Sequence, residues 1–270
     1  QEIWITDISW TEPATDAHLR ALAALGTGVV WIDHHRSAIE RLKRGKVDVP
    51  FRHMTVEDTY AASRLVFEHL DRRLAAEGRT PSGRDEDAAA FRALAKLVAL
   101  ADDNDRWIHA IPGSRELALT VGAMRDTTAY RELLGVDADV THTPAMREAE
   151  ARVTAEVAAT HALAEKTRRE RRVGDVTVIA AWCAGYPSEI GDKWGKATPN
   201  AVVALYDTKS AGVSFRRSPA SQVDLSAVAE TFGGGGHAAA AGCKIPGMGD
   251  RDADALATVV ASAVQRVIGA

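Results

Sequence analysis

Little in this 270-residue sequence could staple a fold, span a bilayer or coat a nucleic acid. There are two cysteines, Cys183 and Cys243, without the paired spacing of a metal knuckle. Two thiols in so long a chain make no disulfide framework and fit reduced side chains in a cytoplasmic protein. No apolar run approaches the roughly 20 residues of a membrane helix, so no membrane partner is expected, and nothing near the start reads as a secretion signal. Aromatic residues are only 6% of the chain, too few for an extended stacking platform along single strands. The net charge is −4, which excludes a broadly basic surface for long duplexes. Contact with nucleic acid should therefore be local, and a small substrate suits the composition better.

What is present is enough apolar material, 46% of residues, for two ordinary domains. Glu2 to Thr6 is a short apolar run stopped by Asp7. Leu19, Leu22 and Leu25 recur at helical spacing before Gly26, and Val29 to Ile32 is a second buried-strand candidate that stops at Asp33. Strand, helix and strand with short joints predict a βαβ unit with parallel strands. Asp7 and Asp33 then sit at neighbouring carboxyl ends, the edge where open α/β sheets hold their ligands. Two amphipathic helices are predicted over 59–74 and 86–100, joined by a loop from Gly78 to Gly83. From Pro144 to Arg172 no glycine or proline interrupts an Ala-, Glu- and Arg-rich segment, which predicts a long connecting helix. That helix could pair two subunits in a homodimer or pack within one. Strands follow over 176–182, 201–206 and 211–215, and Ala255 to Ile268 predicts a final helix. The expected layout is a metal-binding domain over 1–140, a connector over 141–173 and a substrate domain over 174–270.

Asp33-His34-His35 is the sharpest motif. Two imidazoles and a carboxylate at a strand end can supply a metal ligand, its outer partner and a phosphate contact in one turn. A polar turn could carry the same triplet, but Asp7 at the end of a neighbouring strand favours a site. Asp102-Asp103-Asn104-Asp105 closes an apolar helix at its negative pole, where a cation would relieve the repulsion. Any of its three carboxylates could be the ligand. Oxygen-rich donors with an imidazole suit Mn²⁺ or Mg²⁺ better than Zn²⁺. The second motif is Phe232 followed by Gly233 to Gly236 and His237. Consecutive glycines let backbone N–H groups close on an anion, and a helix starting near His237 would add positive potential. Ser214-Phe215-Arg216 ends a strand and offers a guanidinium for bidentate phosphate binding.

Asp7, Asp33-His34-His35, Asp103 before Trp107, Ser214-Phe215-Arg216 and the glycine run into His237 stand in the order of the DHH–DHHA1 phosphoesterases. The chain resembles that family over nearly its whole length. The family includes RecJ-like exonucleases, nano-RNases and cyclic-dinucleotide phosphodiesterases, and the Trp31 and Trp107 contexts look closest to the nano-RNase B-like branch. The resemblance implies an α/β fold of two domains. An N-terminal, Rossmann-like parallel-sheet DHH domain would be joined by a helical connector to a smaller α/β DHHA1 domain. It further implies two Mn²⁺ ions, with Mg²⁺ as the alternative. Asp7 would bridge them, and His34 and Asp103 would bind one. His35 would lie at the scissile phosphate and Asp33 would orient the histidines. Ser214, Arg216, Gly234, Gly235, Gly236 and His237 would hold the phosphates of a short single-stranded oligonucleotide or dinucleotide.

The family's first motif, His-x-Asp-x-Asp on a strand before Asp7, is absent. The chain opens on Gln1 without an initiator Met and enters a strand at once. The expectation is that the native protein begins upstream and that this polypeptide binds metal poorly. Two rivals are a catalytically silent nucleotide-binding regulator of the same fold and a cyclic-dinucleotide phosphodiesterase. A DHHA2-type pyrophosphatase is disfavoured by the glycine run, and an alanyl-tRNA-synthetase-like RNA module by the DHH half.

Overall fold

The computed structural model of the chain describes residues 1–77, 85–124 and 127–269. The expected loop from Gly78 to Gly83 lies outside the described residues. The chain divides into two compact units, Gln1–Ala151 and Arg152–Ala270.

In the first unit, β1 (Glu2–Thr6), α1 (Pro13–Ala24) and β2 (Gly28–Asp33) form the expected βαβ arrangement. Helix α2 (Arg36–Lys43) follows directly, and β3 (His53–Val56) completes a sheet of order β1-β2-β3. Both pairings are parallel, with Ile5 opposite Trp31 and Asp33 opposite Val56. β2 is central and nearly continuous in Val, Trp and Ile, and Val29 to Asp33 are buried, as a parallel strand covered on both faces requires. Its Val30 and Ile32 pack with Leu65 of α3 (Ala62–Glu77), Trp4 and Tyr60. The helical run predicted over 86–100 is two helices, α4 (Asp85–Ala93) and α5 (Ala95–Asp105), and Asp102 to Asp105 belong to the second. Leu100 of α5 meets Leu117 of α6 (Ser114–Ala123), and α7 (Thr127–Leu134) follows.

Helix α8 (Pro144–Thr167) fills most of the segment expected to be one long helix, but it stops five residues earlier than predicted. The run expected as its basic end is instead β4 (Arg169–Val173), paired antiparallel with β5 (Val176–Cys183). Pairing with β5 overrides the helical propensity of Arg and Glu, and as an edge strand β4 leaves charged side chains in water.

The second unit continues with α9 (Pro187–Ala197), β6 (Ala201–Asp207), β7 (Gly212–Arg217), α10 (Leu225–Glu230), β8 (Gly235–His237), β9 (Ala240–Cys243) and α11 (Ala253–Ile268). Its sheet has the order β4-β5-β6-β7-β9-β8, with β5 and β6 parallel and the remaining pairs antiparallel. The alternation of side chains gives it two apolar faces. Val178, Val202, Ala204 and Phe215 pack with Leu225, Val228, Leu256 and Val260 of α10 and α11. Ile179, Ala181, Val203 and Leu205 pack with Ile190 and Trp194 of α9 and Ala164 of α8. Cys183 and Cys243 are free and buried, and burial pushes their thiols up to about 12 and about 11. Among the described residues no helix is long and apolar enough to cross a membrane.

Candidate metal centre and phosphate-binding face

The first site lies at the carboxyl edge of the parallel sheet. Asp7 follows β1 immediately, in the left-handed region at φ 60°, and its N–H donates to the Ile32 carbonyl at 3.0 Å. Asp33, the last residue of β2, is fully buried. Its Oδ1 accepts from the His34 N–H at 2.7 Å, the His35 N–H at 3.0 Å and His35 Nδ1 at 2.7 Å. Its Oδ2 is buried and has no hydrogen-bond partner among the described residues. A buried carboxylate gripping Nδ1 leaves Nε2 of His35 as the outward atom of a half-exposed ring.

His34 Nε2 lies 3.2 Å from Asp7 Oδ1 and 3.2 Å from Asp105 Oδ2. Ligand atoms of Asp7, His34 and His35 all fall within 4.8 Å of one another. Two carboxylates converging on one imidazole, one of them at the negative pole of α5, favour a cation. Burial raises the Asp105 carboxyl above the usual range, and repulsion from Asp7 adds to this while His34 opposes it. This oxygen-rich donor set fits a divalent ion of the Mn²⁺ or Mg²⁺ kind. Beside it a cavity of about 420 Å³ is lined by Asp7 and Asp105 together with Leu97, Leu100 and Leu117.

The structure does not bring Asp103 to this cluster. Its Oδ1 accepts from the Ala110 N–H at 3.0 Å, and its Oδ2 accepts from the Ile111 N–H at 3.2 Å and Ser114 Oγ at 2.5 Å. Burial alone would raise its pKa, but these three donors outweigh it and hold the carboxyl below the ordinary range. Asp102 is likewise engaged, accepting from the Ala61 N–H at 2.6 Å and facing Arg64 and Arg106. One turn of helix separates the three carboxylates onto different sides, so of the acidic run only Asp105 contacts His34 among the described residues.

The second site lies on a sheet face. Register aligns Arg216 with Ala240, and Ala240 with His237, so all three side chains point to one side. Ser214, Gly242 and Gly235 form the adjacent row. Arg216 and His237 therefore flank roughly 10 Å of sheet floored by small residues. The guanidinium is fixed by Ser188 Oγ at 2.5 Å, Ser214 Oγ at 3.1 Å and the Phe215 carbonyl at 2.8 Å. Burial lowers its pKa, and Asp192 works in the opposite sense. Gly191 of α9 makes room for it, because a Cβ there would lie 2.6 Å from Arg216 Cγ.

The glycine run differs from the expectation of an anion nest opening a helix. The N–H groups of Gly233 and Gly234 donate to the carbonyls of Glu230 and Ala229 and so close the end of α10. His237 ends β8, a short exposed strand, rather than starting a helix. Gly234 and Gly236 are needed for close approach: a Cβ would meet the Gly242 carbonyl at 2.2 Å or Ala241 Cα at 2.6 Å, and Gly236 also has φ 145°. Gly235 has open space where its Cβ would be.

Residues 179–267 match the family model described as the DHHA1 domain. Over 98% of the chain the fold is similar to RecJ in complex with Mn²⁺ from Thermus thermophilus, with a TM-score of 0.54 and 16% identity, covering 45% of that chain. It is also similar to an exopolyphosphatase-related protein from Bacteroides fragilis, with a TM-score of 0.51 and 15% identity, covering 98% of this chain and 71% of that one. The family match thus covers most of the second unit, which is a DHHA1 domain, while the likeness to these solved structures extends the shared fold along nearly the whole chain. Its sequence is 36% identical over 85 residues to the oligoribonuclease NrnB of Bacillus subtilis (strain 168). That match takes in 29% of this chain and 21% of the relative, about a fifth of its length.

Proposed function

We propose that the protein is a metal-dependent phosphodiesterase, set in the cytoplasm, that hydrolyses short oligonucleotides or dinucleotides to nucleoside monophosphates. The observation that carries this reading is His34 Nε2 held at 3.2 Å from both Asp7 and Asp105, beside a His35 ring oriented by buried Asp33. Likeness to an oligoribonuclease supports the substrate class. The Mn²⁺ in the RecJ structure supports the choice of ion.

A divalent cation held by Asp7, His34 and Asp105 would supply Lewis acidity, drawing charge from the phosphoryl oxygens and making the attacking water more acidic. Asp33 keeps the proton of His35 on Nδ1, so Nε2 can take a proton from water or, once charged, give one to the departing sugar oxygen. Water adds at phosphorus, the P–O bond to the leaving sugar breaks, and the products are a phosphate monoester and a free hydroxyl. The second unit contributes affinity: Arg216, already oriented by two serines, suits a phosphate oxygen pair, and exposed His237 offers a further donor. Recognition through phosphates carries no base sequence with it.

The test is hydrolysis of a 5′-labelled ribodinucleotide with Mn²⁺ and with a chelator, for wild type and His34→Ala. Mn²⁺-dependent release of nucleoside monophosphate, lost in His34→Ala, is expected. Equal turnover by the two proteins would refute the assignment, and nucleotide binding without turnover would point to a regulatory protein.

A further inference from the structure

We infer that Trp107 and His109 form the platform on which a base of the substrate stacks, a proposal that rests on the phosphodiesterase reading. The segment that follows α5 is unusual in three ways. Trp107 and His109 both occupy the left-handed region, at φ 56° and φ 52°, which costs free energy for residues with a side chain. Their rings meet at 4.5 Å between centroids and 57° between planes. Trp107 keeps 39% of its surface exposed, and Ile108 and Ile111 on the same segment keep 48% and 38%.

The backbone is not free to relieve this conformation, because Asp103 grips it along its length. The Asp103 carbonyl accepts from the Ile108 N–H at 2.9 Å and the His109 N–H at 3.4 Å. Its carboxylate accepts from the Ala110 and Ile111 N–H groups, and Ser114 locks the carboxylate in turn. Asn104 Oδ1 lies 3.3 Å from His109 Nε2 and fixes the second ring. Asp103, expected as a ligand, is thus a positioning residue whose work is to hold an exposed indole in one place.

That place is next to the chemistry. Trp107 is two residues beyond Asp105, whose carboxylate touches His34. Two residues span at most about 7 Å, comparable with the distance from a nucleotide's phosphate to its base. A phosphate at the cluster can carry only sugar and base within that reach, and of the two only the base has a face to match an indole. Every base has such a face, so the platform binds without choosing sequence, as a protein that degrades short strands requires.

The experiment compares wild type, Trp107→Leu and Trp107→Tyr on a ribodinucleotide carrying fluorescent 2-aminopurine and on its abasic counterpart. Stacking predicts quenching of the probe on binding to wild type, loss of quenching in Trp107→Leu, and recovery in Trp107→Tyr. The leucine variant should raise KM for the base-bearing substrate about tenfold with kcat changed by less than about threefold. The abasic substrate should be processed alike by all three proteins. Persistent quenching in Trp107→Leu, or equal losses on both substrates, would overturn the platform. Quenching by a wild type that hydrolyses nothing would uphold the platform while removing the phosphodiesterase reading.

Discussion

The two units place their chemistry by opposite means. In the first, a parallel sheet ends in turns, and Asp7, Asp33, His34 and His35 sit where the strands stop. In the second, Arg216, Ser214 and His237 lie on the face of the sheet and are brought together by register across β7, β9 and β8. A strand-end site depends on a few contiguous residues and their hydrogen bonds. A face site depends on whole strands keeping their alignment and on small residues leaving the floor clear. Point changes should therefore injure the first through chemistry and the second through packing.

The largest effect is expected at His35. Replacing it with Ala leaves Asp33 without a ring partner and removes the outward Nε2, so kcat should fall by about 10²–10⁴-fold with folding intact. Steady-state kinetics beside a thermal melt checks this, and a kcat within a few-fold of wild type would deny His35 any part in the reaction. Next is the glycine run. Gly236→Ala puts a Cβ into the β9 backbone at a positive φ and should cost about 2–4 kcal/mol of stability. Gly235→Ala, with open space at its Cβ, should stay within about 0.5 kcal/mol. Chemical denaturation of the two variants decides whether close approach or anion binding governs these positions; equal losses would remove the distinction.

The third prediction concerns the first unit away from its site. His69 is buried against Trp4 and His53, and burial, with positive charge on His53, Arg73 and Arg72, depresses its pKa to about 4, Glu2 opposing. The unfolded chain therefore binds the proton more readily than the folded one below the ordinary imidazole value. The neutral ring's contribution is fully present above about pH 6.5 and is lost as pH falls toward 4, amounting to roughly 2–3 kcal/mol. Melts across that window should show the fall, and His69→Gln should flatten it; an unchanged slope in the variant would show that other groups titrate. The smallest effect is expected from Arg216→Ala, which should raise KM for a dinucleotide about tenfold while kcat stays within a few-fold. A drop confined to kcat would move Arg216 from binding to chemistry.

The strand-end half was legible in the sequence because its signals are local. The βαβ pattern, Asp7 and the Asp33-His34-His35 turn stand in the places the periodicity implied. Which carboxylate of the acidic run faces His34 was not legible, since three carboxylates within one helical turn differ only in the side they face. That side is set by the loop Asp103 holds and by Arg64 and Arg106 around Asp102. The face site was legible as residue types but not as geometry. Helix α9 is not among the elements expected from the sequence, and its Gly191 is required by Arg216 on a strand 25 residues later. The arginines of β4 read as a helix end because nothing near them announces the pairing with β5. The run from Gly233 to Ala241 has no periodicity from which a hairpin could be read.

The central claim is that Asp7, His34 and Asp105 make a metal centre while Asp103 builds the loop beside it. Titration of Mn²⁺ followed by electron paramagnetic resonance, on wild type, Asp105→Asn and Asp103→Asn, tests it most directly. The account predicts that Asp105→Asn weakens Mn²⁺ binding by about 10–100-fold and that Asp103→Asn, though less stable, still binds the ion. Wild-type affinity in Asp105→Asn together with loss of binding in folded Asp103→Asn would contradict it.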